Sequence, residues 1–104
     1  MASEGAEGSV GRRVRIRGRV QGVWFRGWTS EQAKTRGLSG WVRNRVDGSV
    51  EALFIGPEPM VSAMIAACRE GPPSAQVTQI EEKPYNSEEI DVDQPQGFAT
   101  RSTV

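Results

Sequence analysis

The segment Gly18-Arg19-Val20-Gln21-Gly22-Val23-Trp24-Phe25-Arg26 places two glycines and an arginine where an alternating pattern gives way to a helical one. A turn of this kind can aim successive backbone N–H groups into one concavity and bind an anion. The start of a helix adds unpaired N–H groups and a positive partial charge. Gly18 and Gly22 lower the steric cost of the backbone angles such a turn needs. Arg26 falls in or near the first helical turn, where a cation is mildly disfavoured. A bound dianion reverses that sign, and the guanidinium fork can hold two phosphate oxygens at once. Judged alone, Arg26 still reads slightly better as a solvated arginine on a helix surface. The loop lacks the Gly-Lys-Ser/Thr of a Walker A sequence, so a nucleoside triphosphate is not the expected ligand.

A second segment, Gly40-Trp41-Val42-Arg43-Asn44-Arg45-Val46-Asp47-Gly48-Ser49-Val50-Glu51, brings an amide side chain to a strand end just before a turn. Asn44 can donate and accept, and so could hold a water in line with a bound phosphorus. By itself it reads more readily as a residue that caps the turn. The chain has no histidine and one cysteine, Cys68. Ser-His-Asp triads, His metal sites, a Cys-rich zinc site and an internal disulfide are thereby excluded. Cys68 lies in an apolar helical stripe and reads as core. Any chemistry must come from Arg, Lys, Asp, Glu, Asn, hydroxyls or backbone groups.

Net charge is zero, but it is unevenly spread. Residues 12–45 hold ten Lys/Arg and one acid, Glu31, whereas residues 46–104 hold three basic residues and ten acids. A basic first half suits an anionic ligand. Equally, the halves could interleave and pair their charges across the surface.

These residues must be positioned by a scaffold. The 104 residues suit one domain with one core. Val14, Ile16, Gly18 and Val20 alternate with Arg13, Arg15, Arg17 and Arg19, which predicts a half-buried strand. A helix is expected over 24–35, stopped by Gly37. Strands are expected over 40–45 and 49–55, joined as a hairpin by Asp47-Gly48. Gly56-Pro57-Glu58-Pro59 opens a second helix, whose Val61, Met64, Ile65 and Cys68 form an apolar stripe. Gly71-Pro72-Pro73 ends it. Strands follow over 77–85 and 97–102, with an acidic exposed loop over 86–96 between them. Two helices cannot cover both faces of so small a sheet. The expected fold is α+β, a two-layer ferredoxin-like βαββαβ sandwich. Its sheet is antiparallel, both helices lie on one face, and a short extra strand is C-terminal. Residues 1–11 are expected to be a flexible tail and 12–104 the domain. No apolar run approaches the roughly 18–20 residues of a membrane span, and the start lacks a secretory pattern, so the expected location is cytoplasmic.

Taken together, the two segments carry a family resemblance. Gly18-Arg19-Val20-Gln21-Gly22-Val23-Trp24-Phe25-Arg26 resembles the first acylphosphatase motif, Gly-x-Val-Gln-Gly-Val-x-Phe-Arg. Gly40-Trp41-Val42-Arg43-Asn44, followed by Gly48-Ser49-Val50 and Gly56, resembles the second. The likeness extends from about Arg13 to Arg101 and is loose only in the tail, over 86–96 and in the last three residues. It implies hydrolysis of acyl phosphates to a carboxylate and inorganic phosphate. It assigns phosphate binding to Arg26 and to the backbone of Gly18, Arg19, Val20, Gln21, Gly22, Val23 and Trp24, and the catalytic water to Asn44. It implies no cofactor, no metal, a small-molecule substrate and phosphate as a competitive inhibitor. Trp24 and Trp28 are bulkier than the residues some relatives carry, which would alter access to the site. A monomer is expected, with neither nucleic acid nor membrane as partner. Two rivals are a nucleic-acid module using the basic first half and a sensor that binds an anion without hydrolysis. The aromatic RNA-binding consensus is missing, which disfavours the first. The intact Arg26 and Asn44 disfavour the second.

Overall fold

A computed structural model describes residues 9–85 and 97–104. In chain order the elements are β1 (Ser9–Arg19), α1 (Phe25–Thr35), β2 (Ser39–Asn44), β3 (Val50–Pro57), α2 (Glu58–Glu70), β4 (Gln76–Pro84) and β5 (Phe98–Thr100). The expected acidic loop over 86–96 lies outside the described residues, as does the expected tail as far as residue 8. Ser9, Val10 and Gly11 belong to β1, where Val10 pairs with Gly56 and the Tyr85 N–H donates to the Gly11 carbonyl at 3.0 Å. Strand partners on both sides thus carry β1 further back than the alternation indicates.

The five strands form one sheet in the order β4-β1-β3-β2-β5. Neighbours among the first four are antiparallel, and β5 runs parallel to β2. This is the expected α+β sandwich, with the extra strand making the sheet mixed. The α1 connection carries the chain past one strand position, and the hairpin returns β3 into the gap between β1 and β2. β3 is therefore central and buried on both faces. Its Val50, Ala52 and Phe54 join Val14, Ile16, Val42 and the inner faces of both helices in the main core. Leu53 and Ile55 face the other way and pack with Trp41 and Tyr85.

The helices bury what their spacing allows. In α2 the stripe Val61, Met64, Ile65 and Cys68 is wholly buried. In α1 the buried residues are Phe25, Thr29 and Ala33, one per turn, so the helix is held by a narrow ridge. Trp28 flanks that ridge, with its ring edge-on to Phe25 at 5.5 Å. Burial pushes the Cys68 thiol up to about 12, and Arg36 opposes this only weakly. Cys68 is a core residue and a poor nucleophile.

β5 matters beyond its length. Phe98 stacks on Phe54 at 5.7 Å and closes the core edge. The chain beyond it follows β2, with Arg101 N–H donating to the Val42 carbonyl at 2.8 Å and Val104 N–H to the Asn44 carbonyl at 3.2 Å. The end of β2 is thus held by backbone on both sides.

Candidate active site

The β1–α1 connection begins with an irregularity. Register against β4 shifts between Arg17 and Gly18, so the chain leaves the sheet through a bulge. Gly22 then takes φ 75°, and Trp24 takes φ 68° and ψ 24°, in the left-handed region. Trp24 is the only non-glycine residue with positive φ among those described. Left-handed residues interspersed in a turn produce the concave array of N–H groups that binds anions.

The start of α1 is left open. Its N-cap is Trp24, with no side-chain cap and no acidic residue in the first turn. α2, by contrast, has Glu58 in its first turn. Among the described residues, no backbone or side-chain acceptor receives the N–H groups of Val20 through Gly27. An anion is the natural partner for such a run of donors.

Val20, Gly22, Trp24, Phe25, Arg26, Gly27 and Asn44 line one pocket of about 170 Å³. The fold therefore unites Arg26 and Asn44, which come from opposite sides of the first crossover. β2 ends at Asn44, and its neighbour β3 starts at the matching position, Val50. Among the described residues, one side chain fastens the loop to this hairpin. The Gln21 amide donates to the Arg45 and Ser49 carbonyls, both at 2.8 Å. Because both partners are carbonyl oxygens, only the NH₂ group can face them.

Not every expected loop residue reaches the pocket. Gly18 lines a separate groove with Arg17, Asp47, Gly48 and Ser49. Arg19 is exposed at the end of β1, and Val23 packs against the core. Gln21 faces the hairpin. Gly27 lines the pocket although the sequence reading did not single it out. Its signal was a glycine in the first helical turn, where glycine is costly unless something needs the space.

The charge imbalance resolves along the lines of the interleaved alternative. Arg12, Arg13, Arg15, Arg17, Arg43 and Arg45 form ion pairs with Asp47, Glu51, Glu58 and Glu81. Among the described residues, Arg26 has no ion-pair partner. Within those residues it is a cation without a carboxylate partner, beside an uncapped helix start. The hub of the paired set is Glu51, 4% exposed on the open sheet face, which takes Arg43 at 2.9 Å, Arg45 at 3.0 Å and Arg13 at 3.6 Å. Burial works to raise its pKa, but the hydrogen bonds and charges of Arg43 and Arg45 outweigh burial and leave it lowered. Asp47 orders the hairpin turn. The Ser49 hydroxyl donates to it at 2.6 Å and the Ser49 N–H at 2.9 Å, and its pKa falls to about 2.

The open face does not serve the nucleic-acid alternative. Trp41 is 4% exposed and covered by the guanidiniums of Arg43 and Arg101, at 4.6 and 5.1 Å from its ring centre. Phe54 is in the core. Base stacking needs exposed aromatic faces, and these two strands present none. Among the described residues no three Cys, Asp or Glu converge as a metal site, and no helix is long and apolar enough to cross a membrane.

The acylphosphatase family model matches residues 12–99, a span that contains the whole pocket. The chain belongs to the acylphosphatase family. It is 57% identical over 91 residues to an acylphosphatase of Rhodospirillum rubrum, covering 88% of this chain and 94% of that one. The fold matches the structure of an acylphosphatase from Coxiella burnetii with a TM-score of 0.85 at 27% identity, over 95% of this chain and 99% of that one. It matches the crystal structure of acylphosphatase from Bacillus subtilis with a TM-score of 0.81 at 36% identity, over 88% and 98% of the two chains. Membership makes the chain a hydrolase of acyl phosphates.

Proposed function

We propose that the pocket holds the phosphate of the substrate between Arg26 and the unpaired N–H groups of the β1–α1 loop, while Asn44 orients the attacking water. The observation that carries this reading is the meeting of Arg26, Asn44 and the uncapped start of α1 in one small pocket. Carboxylate is a good leaving group, so the reaction depends chiefly on positioning and on stabilising charge at phosphorus. An amide has no useful basicity. Asn44 therefore directs the water without taking its proton, and a phosphate oxygen of the substrate accepts it. The P–O bond to the acyl group breaks as the water oxygen bonds to phosphorus. No step requires a metal or a cofactor, and the chain acts as a monomer on a small molecule.

The test is hydrolysis of benzoyl phosphate with chelator present. Arg26→Ala should lower kcat/KM by at least about a thousandfold, as expected for a charge-assisted contact to the reacting phosphoryl group. Asn44→Ala should lower kcat by about a hundredfold or more, the scale of lost water positioning. Its inhibition by inorganic phosphate should stay within a few-fold of the wild type. Wild-type rates in either variant would refute the assignment.

A further inference from the structure

Trp24 is the one exposed aromatic side chain among the described residues, at 60%. Trp28 is packed on Phe25 and Trp41 is buried, so the other tryptophans are accounted for by packing. Trp24 is not. Its left-handed backbone costs about 1–2 kcal/mol for a residue with a Cβ, and glycine or asparagine would avoid most of that cost. An exposed ring recovers little of it through burial. Backbone strain that local packing does not repay is characteristic of functional sites.

The ring is also deliberately placed. It lies over Gly27, so closely that a Cβ there would overlap the indole Nε1, Cε2 and Cδ1. The missing side chain at 27 leaves room for the ring, and Trp24 and Gly27 line the same pocket as Arg26 and Asn44. The pocket's 170 Å³ equals the liquid volume of about six waters. That is room for a phosphate with a small acyl group, so a larger aryl acyl group must extend beyond it.

We propose that the Trp24 indole is the acyl subsite, stacking on flat, unsaturated acyl groups and giving the enzyme a preference for aryl acyl phosphates over small aliphatic ones. This rests on the phosphate reading of the pocket. Offset stacking suits the two π-systems.

The test is the ratio of kcat/KM for benzoyl phosphate to that for acetyl phosphate, in the wild type, Trp24→Asn, Trp24→Phe and Gly27→Ala. Taking the ratio cancels general damage to the phosphate site. Asparagine tolerates the left-handed backbone, so Trp24→Asn removes the ring without adding strain, and its Tm should not fall. The ratio should drop roughly fivefold to tenfold in Trp24→Asn, the scale of one aromatic pair. Most of the loss should fall on KM, because the ring binds ground and transition states alike. Trp24→Phe should restore part of the ratio, and Gly27→Ala, which evicts the indole from its seat, should lower it. An unchanged ratio in Trp24→Asn, with both substrates turned over, overturns the subsite. A wild type that hydrolyses neither substrate overturns the phosphate reading beneath it.

Discussion

Replacing Gln21 by alanine removes the only side-chain tie between the phosphate loop and the hairpin that carries Asn44 among the described residues. Two hydrogen bonds of 2.8 Å are lost. Neither carbonyl is orphaned. Arg45 O still accepts from Gly48 N–H at 3.0 Å, and Ser49 O from Arg45 N–H at 2.8 Å. The full penalty for burying an unpaired acceptor therefore does not apply, and each bond should be worth about 0.5–1 kcal/mol. The total, about 1–2 kcal/mol, should lower Tm by roughly 5–12 °C in a domain of this size. The effect on catalysis should be larger than the effect on folding. A 1 Å misplacement of reacting groups can cost on the order of a hundredfold, and the tie sets the distance between the loop N–H groups and Asn44. At a temperature well below both melting points, kcat for benzoyl phosphate should fall at least about tenfold. Inhibition by phosphate, assigned in the proposed function to the loop and Arg26, should change much less. Gln21→Glu keeps the shape but turns oxygens toward oxygens, and should be worse than alanine in both readouts at neutral pH. A lowered Tm with wild-type kcat would show that Gln21 only braces the fold. An unchanged Tm would refute the reasoning outright.

Glu51→Gln leaves three guanidiniums around a neutral amide. Losing one partner of a buried pair costs about 3–5 kcal/mol, reduced here to about 2 because the arginines are partly solvated. Thermal melting should fall by roughly 8–16 °C, with benzoyl phosphate kinetics retained in the folded fraction. Asp47 has a folded pKa near 2 against an ordinary 3.8. Its contribution to the hairpin is complete above about pH 4 and is lost as pH falls toward 2. Asp47→Asn should therefore remove part of the pH dependence of unfolding in that window, and parallel acid titrations of the two proteins would speak against it. Cys68, with its thiol near 12, should react with iodoacetamide about a thousandfold more slowly than a free thiol while the protein is folded, and normally in denaturant.

Much of this protein was legible in its sequence because the signals are local. Alternation wrote β1, the stripe from Val61 to Cys68 wrote α2, and Asp47-Gly48 wrote the hairpin. The two motifs named the residues that meet at the pocket. The sequence could not decide what depends on contacts between distant segments. The start of β1 lies at Ser9 because β3 offers it partners there. β5 runs parallel to β2, and no local pattern encodes strand direction. Most of the arginines that made the first half look ready for an anion are instead spent on Glu51, Asp47, Glu58 and Glu81. Only the tertiary structure separates them from Arg26, since pairing is a matter of which strands lie side by side. The same holds within the motif itself. Its nine residues read as one loop, yet Gln21 faces the hairpin, Val23 the core, Gly18 another groove, and Trp24 lines the pocket. The residue types fixed what chemistry was possible. Backbone angles at Gly22 and Trp24, and the neighbours that hold them, decided which groups meet in the pocket.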